Sequence, residues 1–170
     1  NGKIIGKAEG VLGKLLQPYV KQFFDTLNSL KVIAKVNGAH VYNLYNPPFP
    51  TDAGMRFLLR KLKMTLTKQA FPVTANLAIT HECQCKCVHC SADPFKDPDK
   101  KEVTTAEVKT VIDGALDLGA TLVIFVGGEP LLNKNLFELI EYVDKSKAIA
   151  MIFTNGLLLT QENVNKLAKA

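Results

Sequence analysis

Cysteine is absent before residue 83 and after residue 90; all four cysteines of the 170-residue chain fall between those positions. That excludes a disulfide framework, because bridges among such close neighbours would close only trivially short loops. A metal centre in a reducing compartment fits the pattern better. No apolar run reaches the ~18 residues that a membrane-spanning helix needs. There is no large excess of one charge: the formal net charge is +5, and the lysines are scattered apart from the group Arg56, Arg60, Lys61 and Lys63. No nucleic-acid partner is therefore expected; a lysine-rich solvated surface accounts for the balance. Internal repeats and low-complexity tracts are lacking too. The chain begins at Asn1 rather than Met, so either residues have been removed or it starts inside a longer protein. Its first ten residues, short of apolar side chains and broken by glycine, do not read as a secretory signal. The expected location is cytoplasmic.

What is present sorts into two parts, 1–71 and 72–170. Residues 10–36 read as a helical region. Apolar residues from Val11 to Leu30 recur at three- and four-residue steps, and Lys14, Lys21 and Asp25 take the other face. Pro18 should kink or divide this helix unless it sits in a first turn. A basic amphipathic stretch is compatible with a membrane surface, but packing on its own domain or on a partner is the expected role. Asn37-Gly38 is a turn signal, and residues 39–45 alternate as a short strand would. Asn46-Pro47-Pro48-Phe49-Pro50 reads as a stiff, extended linker. Thr51 or Asp52 then caps a helix to about Thr67, with Met55, Leu58, Leu59, Leu62 and Leu66 on its apolar face.

From residue 72 the pattern becomes strand, helix, strand, helix, strand, helix. The predicted strands are 73–80, 121–126 and 149–153. The second and third are apolar enough to be buried on both faces. Between the first strand and its helix lies a polar loop carrying Asp93, Pro94, Asp97, Pro98 and Asp99. Helices are expected over 104–118, with Val108, Val111, Ile112, Ala115 and Leu116 inward, over 134–146, with Leu136, Leu139, Ile140 and Val143 inward, and over 161–170. Gly119 ends the first of these. This order implies an α/β fold with parallel strands and right-handed crossovers. Three sharp motifs fall at successive strand ends: the cysteine loop, Gly127-Gly128-Glu129-Pro130, and Thr154-Asn155-Gly156. In parallel α/β folds ligands bind at that edge.

Cys83-x3-Cys87-x2-Cys90 supplies three thiolates from one tight loop. An iron–sulfur cluster held by three cysteines keeps one iron open, which is the useful feature of a catalytic metal. The alternative is a non-catalytic module, a zinc knuckle or an electron-transfer centre, with His81, His89 or Cys85 as the fourth ligand.

The three motifs together resemble the radical S-adenosylmethionine (SAM) superfamily, over residues 73–160. They are most similar to its branch of molybdenum-cofactor-synthesis, haem-modifying and peptide-modifying enzymes, many with SPASM extensions. The resemblance implies a parallel (β/α) barrel, here cut to about three strand–helix units behind an N-terminal helical segment. It implies a [4Fe–4S] cluster on Cys83, Cys87 and Cys90, with SAM at the open iron. Reductive cleavage of SAM would give a 5′-deoxyadenosyl radical that abstracts hydrogen from a substrate. It further implies that His89 lies beside the adenine. Gly127, Gly128, Glu129 and Pro130 would face the methionyl amino group, and Thr154 and Asn155 would contact SAM or substrate. Cys85 departs from the pattern and is expected to be a spare thiol. A flavodoxin- or ferredoxin-like reductant is the implied partner. The remaining strands of the barrel, with most substrate contacts, would lie beyond residue 170, so the chain is expected to be part of a longer enzyme. The substrate is not legible: a peptide, a cofactor or a lipid-like molecule all remain open, and 1–71 is expected to dock substrate, membrane or barrel.

Overall fold

The structure, a computed structural model, describes residues 3–95, 99 and 101–170. The chain forms two units, Asn1–Ala70 and Phe71–Ala170.

The first unit opens with helix α1, Gly10–Ser29. Its N-cap, Glu9, makes no side-chain cap. Instead the preceding segment is tied along the helix. Gln17 accepts from Ala8 N at 2.8 Å, and the Asn28 amide exchanges bonds with Ile4 N and O at 3.0 and 2.8 Å. Pro18 lies within α1 without dividing it. The helix stops sooner than its periodicity suggests, and Ala34–Val36 forms strand β1 against β2, Ala39–Val41. Two local causes favour this. Val32, Ile33 and Val36 are β-branched, and Asn37 and Gly38 both take positive φ, 49° and 81°, the turn whose twist suits a tight hairpin.

The Asn46–Pro50 segment is not a linker. Phe49 is 2% exposed and packs with Val20, Phe24, Leu58 and Leu62. Its backbone exchanges both hydrogen bonds with His40, and its ring meets Phe24 edge-on at 5.6 Å. The burial of an aromatic ring outweighs the stiffness of the flanking prolines. Helix α2 spans Asp52–Thr67, with Thr51 Oγ1 accepting from Gly54 N. Its buried face is rotated from the expected one. Ala53, Phe57, Leu58 and Leu62 are inside, while Met55, Leu59 and Leu66 are exposed. Phe57, whose ring lies 6.4 Å from that of Phe23, sets the rotation.

In the second unit β3 (Thr74–Ala78), β4 (Leu122–Val126) and β5 (Ile149–Ile152) form a parallel sheet in that order. Ala78 stands beside Val126, and Phe125 beside Ile152. Helices α3 (Thr105–Leu118), α4 (Leu136–Tyr142) and α5 (Gln161–Leu167) follow the strands. β4 is central, and its first four residues are buried, as its all-apolar sequence requires. Its Phe125, fully buried, contributes about 1.5–3 kcal/mol. β5 is only half-buried, against the expectation of burial on both faces, because it has one strand neighbour among the described residues.

α3 starts at a capping box, Thr104 with Glu107, and ends at Gly119, φ 113°. Val108, Ile112 and Leu116 form its buried row; Val111 is exposed, one step off that four-residue spacing. α4 is shorter than the predicted 134–146. A 3₁₀ turn, Pro130–Leu132, precedes it. At its far end the Asp144 carbonyl accepts from Lys147 N and Ala148 N, turning the chain toward β5. α5 likewise ends before the predicted 170. A 3₁₀ turn, Asp93–Phe95, occupies part of the polar loop; Asp97 and Pro98 lie outside the described residues.

Candidate functional site

The three motifs leave the C-terminal ends of adjacent parallel strands, and the structure wires them together. The β3–β4 ladder continues past the strands into both loops. Ile79 N donates to Val126 O at 3.0 Å, Gly128 N to Thr80 O at 2.9 Å, and Glu129 N to Glu82 O at 2.8 Å. The Gly-Gly-Glu turn is therefore zipped to the root of the cysteine loop. Both glycines are needed for that approach. A Cβ on Gly127 would overlap the Thr80 carbonyl oxygen, and one on Gly128 the Glu82 carbonyl oxygen. Gly127 also has φ 137°, where L side chains are strained. The glycine pair thus serves the join between two loops, a role that sequence reading did not assign to it.

Glu129 is 0% exposed. Its Oε1 accepts from Leu131 N at 3.0 Å and Thr154 Oγ1 at 2.7 Å, and its Oε2 accepts from Asn155 N at 2.8 Å. A buried carboxylate needs such donors, and here they come from its own turn and from the end of β5. Pro130, also buried, begins the 3₁₀ turn. Thr154 Oγ1 in turn accepts from Gly156 N at 3.1 Å.

Asn155 closes the circuit back to the cysteine loop. Its Oδ1 accepts from Leu157 N at 3.0 Å and Gln84 Nε2 at 3.4 Å. Its Nδ2 stands 3.5 Å from Cys85 Sγ and 3.9 Å from Cys83 Sγ. All four cysteines are free thiols, with Cys87 exposed and the others half-buried. Among the described residues, no three His, Cys, Asp or Glu side chains are already gathered as a metal-binding set. Cys83 and Cys85 meet under Asn155, while Cys87, His89 and Cys90 follow along the loop, His89 exposed in a turn. Desolvation pushes the Cys85 thiol pKa up, and the neighbouring Cys83 and Cys87 add to it.

Two residues of the site carry no sequence signal. Glu102 Oε1 accepts from Thr80 Oγ1 and His81 N, both at 2.6 Å, pinning the loop root from the α3 side. Desolvation works against this carboxylate. The hydrogen bonds from Thr80 and from the His81 and Glu82 backbone outweigh it and hold the pKa below the ordinary value. Asn133 Nδ2 donates to Ile79 O at 2.7 Å. Each is a single polar residue in a loop, with no spacing to mark it.

A cleft of about 760 Å³ opens beside these loops. Asn76 and Ala78 of β3, Val126 of β4 and Ile152 of β5 line it, with Gly127, Gly128 and Thr154. His81, Ser91 and Ala92, which flank the cysteines in sequence, line it as well. In donor type the residues suit an iron–sulfur cluster: closely spaced free thiols on a loop whose two ends border a roomy cleft. Among the described residues no helix is long and apolar enough to cross a membrane.

The family model for the Radical SAM superfamily matches residues 77–170. PqqA peptide cyclase of Bradyrhizobium diazoefficiens is 34% identical over 113 residues, 66% of this chain and 30% of that protein. Fe-coproporphyrin III synthase of Methanosarcina barkeri is 38% identical over 89 residues, 52% of this chain and 22% of that protein. The chain thus spans less than a third of the length of these curated relatives. Among solved structures, BtrN in complex with AdoMet and 2-DOIA aligns with 27% identity over 59% of this chain and 43% of that one, at a TM-score of 0.49.

Proposed function

The chain belongs to the radical SAM superfamily, whose members use a [4Fe–4S] cluster and SAM, and from that premise we propose that it forms the cluster-holding and SAM-facing part of a radical SAM enzyme. Cys83, Cys87 and Cys90 hold the cluster, and Cys85 is not a ligand. Bound there, the cluster would supply the electron for reductive cleavage of SAM to methionine and a 5′-deoxyadenosyl radical, the species that would abstract hydrogen from substrate. The observation that carries the reading is the wiring of the three motifs. Two backbone bonds join the Gly127-Gly128-Glu129 turn to the cysteine loop, and the Glu129 carboxylate joins it to Thr154 and Asn155.

In this scheme the chain's residues position and shield. Gly127 and Gly128 present bare backbone to the cleft, where the methionyl end of SAM would lie. Glu129, whose carboxylate accepts from three donors, braces the turn that faces the methionyl amino group, and Pro130 stiffens its exit. The Thr154 backbone and the Asn155 side chain border the bound ligand, and His89 lies beside the adenine. The reductant is a flavodoxin- or ferredoxin-like protein. Because relatives are named as a peptide cyclase and as an Fe-coproporphyrin III synthase, the substrate is a peptide or a tetrapyrrole, as in the peptide- and haem-modifying branch.

The test is anaerobic reconstitution of the chain with iron and sulfide, dithionite reduction and EPR spectroscopy with and without SAM. A cluster signal that changes on adding SAM supports the reading. A site that takes zinc in preference to iron, or a cluster whose signal ignores SAM, overturns it in favour of a non-catalytic metal module. Release of 5′-deoxyadenosine from the whole protein tests the activity itself.

A further inference from the structure

The side-chain amide of Asn155 is held with its acceptor occupied and its donors turned to sulfur. Its backbone N–H is fixed by Glu129 at 2.8 Å. Its Oδ1 is taken by Leu157 N and Gln84 Nε2. A flipped amide would set its NH₂ against the Leu157 N–H, donor facing donor, so the orientation follows from the chemistry. The NH₂ group is left facing Cys83 and Cys85. Cys83 Sγ also accepts from Cys85 N at 3.4 Å. One cysteine sulfur thereby has two N–H donors aimed at it.

We propose that Asn155 is a hydrogen-bond donor to the Cys83 thiolate and raises the reduction potential of the cluster that Cys83 helps to hold. The inference rests on the assignment of Cys83 as a ligand. A coordinated thiolate has lost its proton and can only accept. An N–H pointed at it stabilises the added negative charge of the reduced cluster, and hydrogen bonds to the sulfurs are among the determinants of cluster potential. Asn155 is therefore a positioning and tuning residue, delivered to the loop by a buried carboxylate on the neighbouring strand end. Cys85 lies nearer to the same amide, 3.5 Å against 3.9 Å.

The experiment compares the full chain with Asn155→Leu, which keeps bulk and the backbone N–H but removes the donor without adding charge, and with Asn155→Gln, which keeps an amide. Each is reconstituted anaerobically, assayed for iron and sulfide, and titrated without SAM by EPR-monitored potentiometry. Asn155→Leu is expected to retain its cluster and to be on the order of tenfold harder to reduce, a shift of about 59 mV toward negative potential for one electron; Asn155→Gln should recover part of it. The same shift should appear when Asn155→Leu is made in a Cys85→Ala background. An unchanged potential with full iron content overturns the inference and leaves the ligand assignment standing. So does loss of the shift once Cys85 is removed, or loss of the cluster in Asn155→Leu, which would make Asn155 a support of the loop only. A wild-type chain that takes up no cluster overturns both.

Discussion

The backbone N–H of Asn155 donates to Oε2 of Glu129 at 2.8 Å across 26 residues of sequence. The bond joins the loop after β4 to the loop after β5. With Thr154 Oγ1 on the other carboxylate oxygen, it makes Glu129 the brace on which the Gly-Gly-Glu-Pro turn and the Thr-Asn-Gly turn are both hung.

Removing that brace should cost stability before it costs anything else. Glu129→Ala removes the shared acceptor of Leu131 N, Thr154 Oγ1 and Asn155 N, three part-buried bonds, so a loss of about 1–3 kcal/mol in all is expected. Glu129→Gln keeps the shape but sets an NH₂ group against a donor, and should lose an intermediate amount. Urea unfolding of the metal-free chain reads both. A Glu129→Gln variant as stable as wild type would show that the brace carries no load.

Glycine substitutions should separate by position. Gly127→Ala and Gly128→Ala put a methyl group into the Thr80 and Glu82 carbonyl oxygens, which are backbone and cannot swing aside. Each should lower stability by about 1–3 kcal/mol. Gly114, in the middle of α3, has open space around its Cβ position, and Gly114→Ala should raise stability by roughly 0.5–1 kcal/mol. Thermal melts followed by circular dichroism distinguish the two classes.

Among the cysteines, alanine at 83, 87 or 90 should each abolish cluster uptake, while Cys85→Ala should leave iron and sulfide content intact. Metal and sulfide assays on the four reconstituted variants decide the matter. Loss confined to the Cys85 variant would overturn this ligand set.

Glu102 should impose an acid limit on the loop root. Its folded pKa lies below the ordinary carboxylate value of 4.5, so the unfolded chain binds the proton more readily. The contribution to stability is therefore present above that pH and is lost as pH falls below it, through the folded pKa. Denaturant midpoints of the metal-free chain across acid pH should show a weaker acid-side decline in Glu102→Gln than in wild type. Parallel curves would remove Glu102 from the loop's support.

Much of the fold was legible because its signals are local. The start of α3 after Thr104, the Gly119 stop, the Asn37-Gly38 turn and the apolar run of β4 each act through residues a few positions apart, and all are where the pattern put them. Errors arose where a distant partner decided. The periodicity of α2 could not say that Phe57 would meet Phe23, and so its buried face was placed a step away. Three prolines around Phe49 suggested a stiff arm, but the ring's burial against Phe24 drew the segment into the core. β5 was apolar enough for two covered faces and has one strand neighbour here.

The amino-acid sequence determined the parallel strand–helix order and the resemblance to the radical SAM superfamily, since residue type, spacing and strand-end placement suffice for both. Three clustered thiols and a glycine pair need no tertiary contact to be recognised. Tertiary structure alone decided how those motifs act on one another. The Gly-Gly turn meets the cysteine loop through backbone carbonyls, Glu129 turns inward to hold Asn155, and Asn155 reaches sulfurs 70 and 72 residues away. Such contacts depend on strand register and loop course in three dimensions. No local rule of spacing or propensity encodes them.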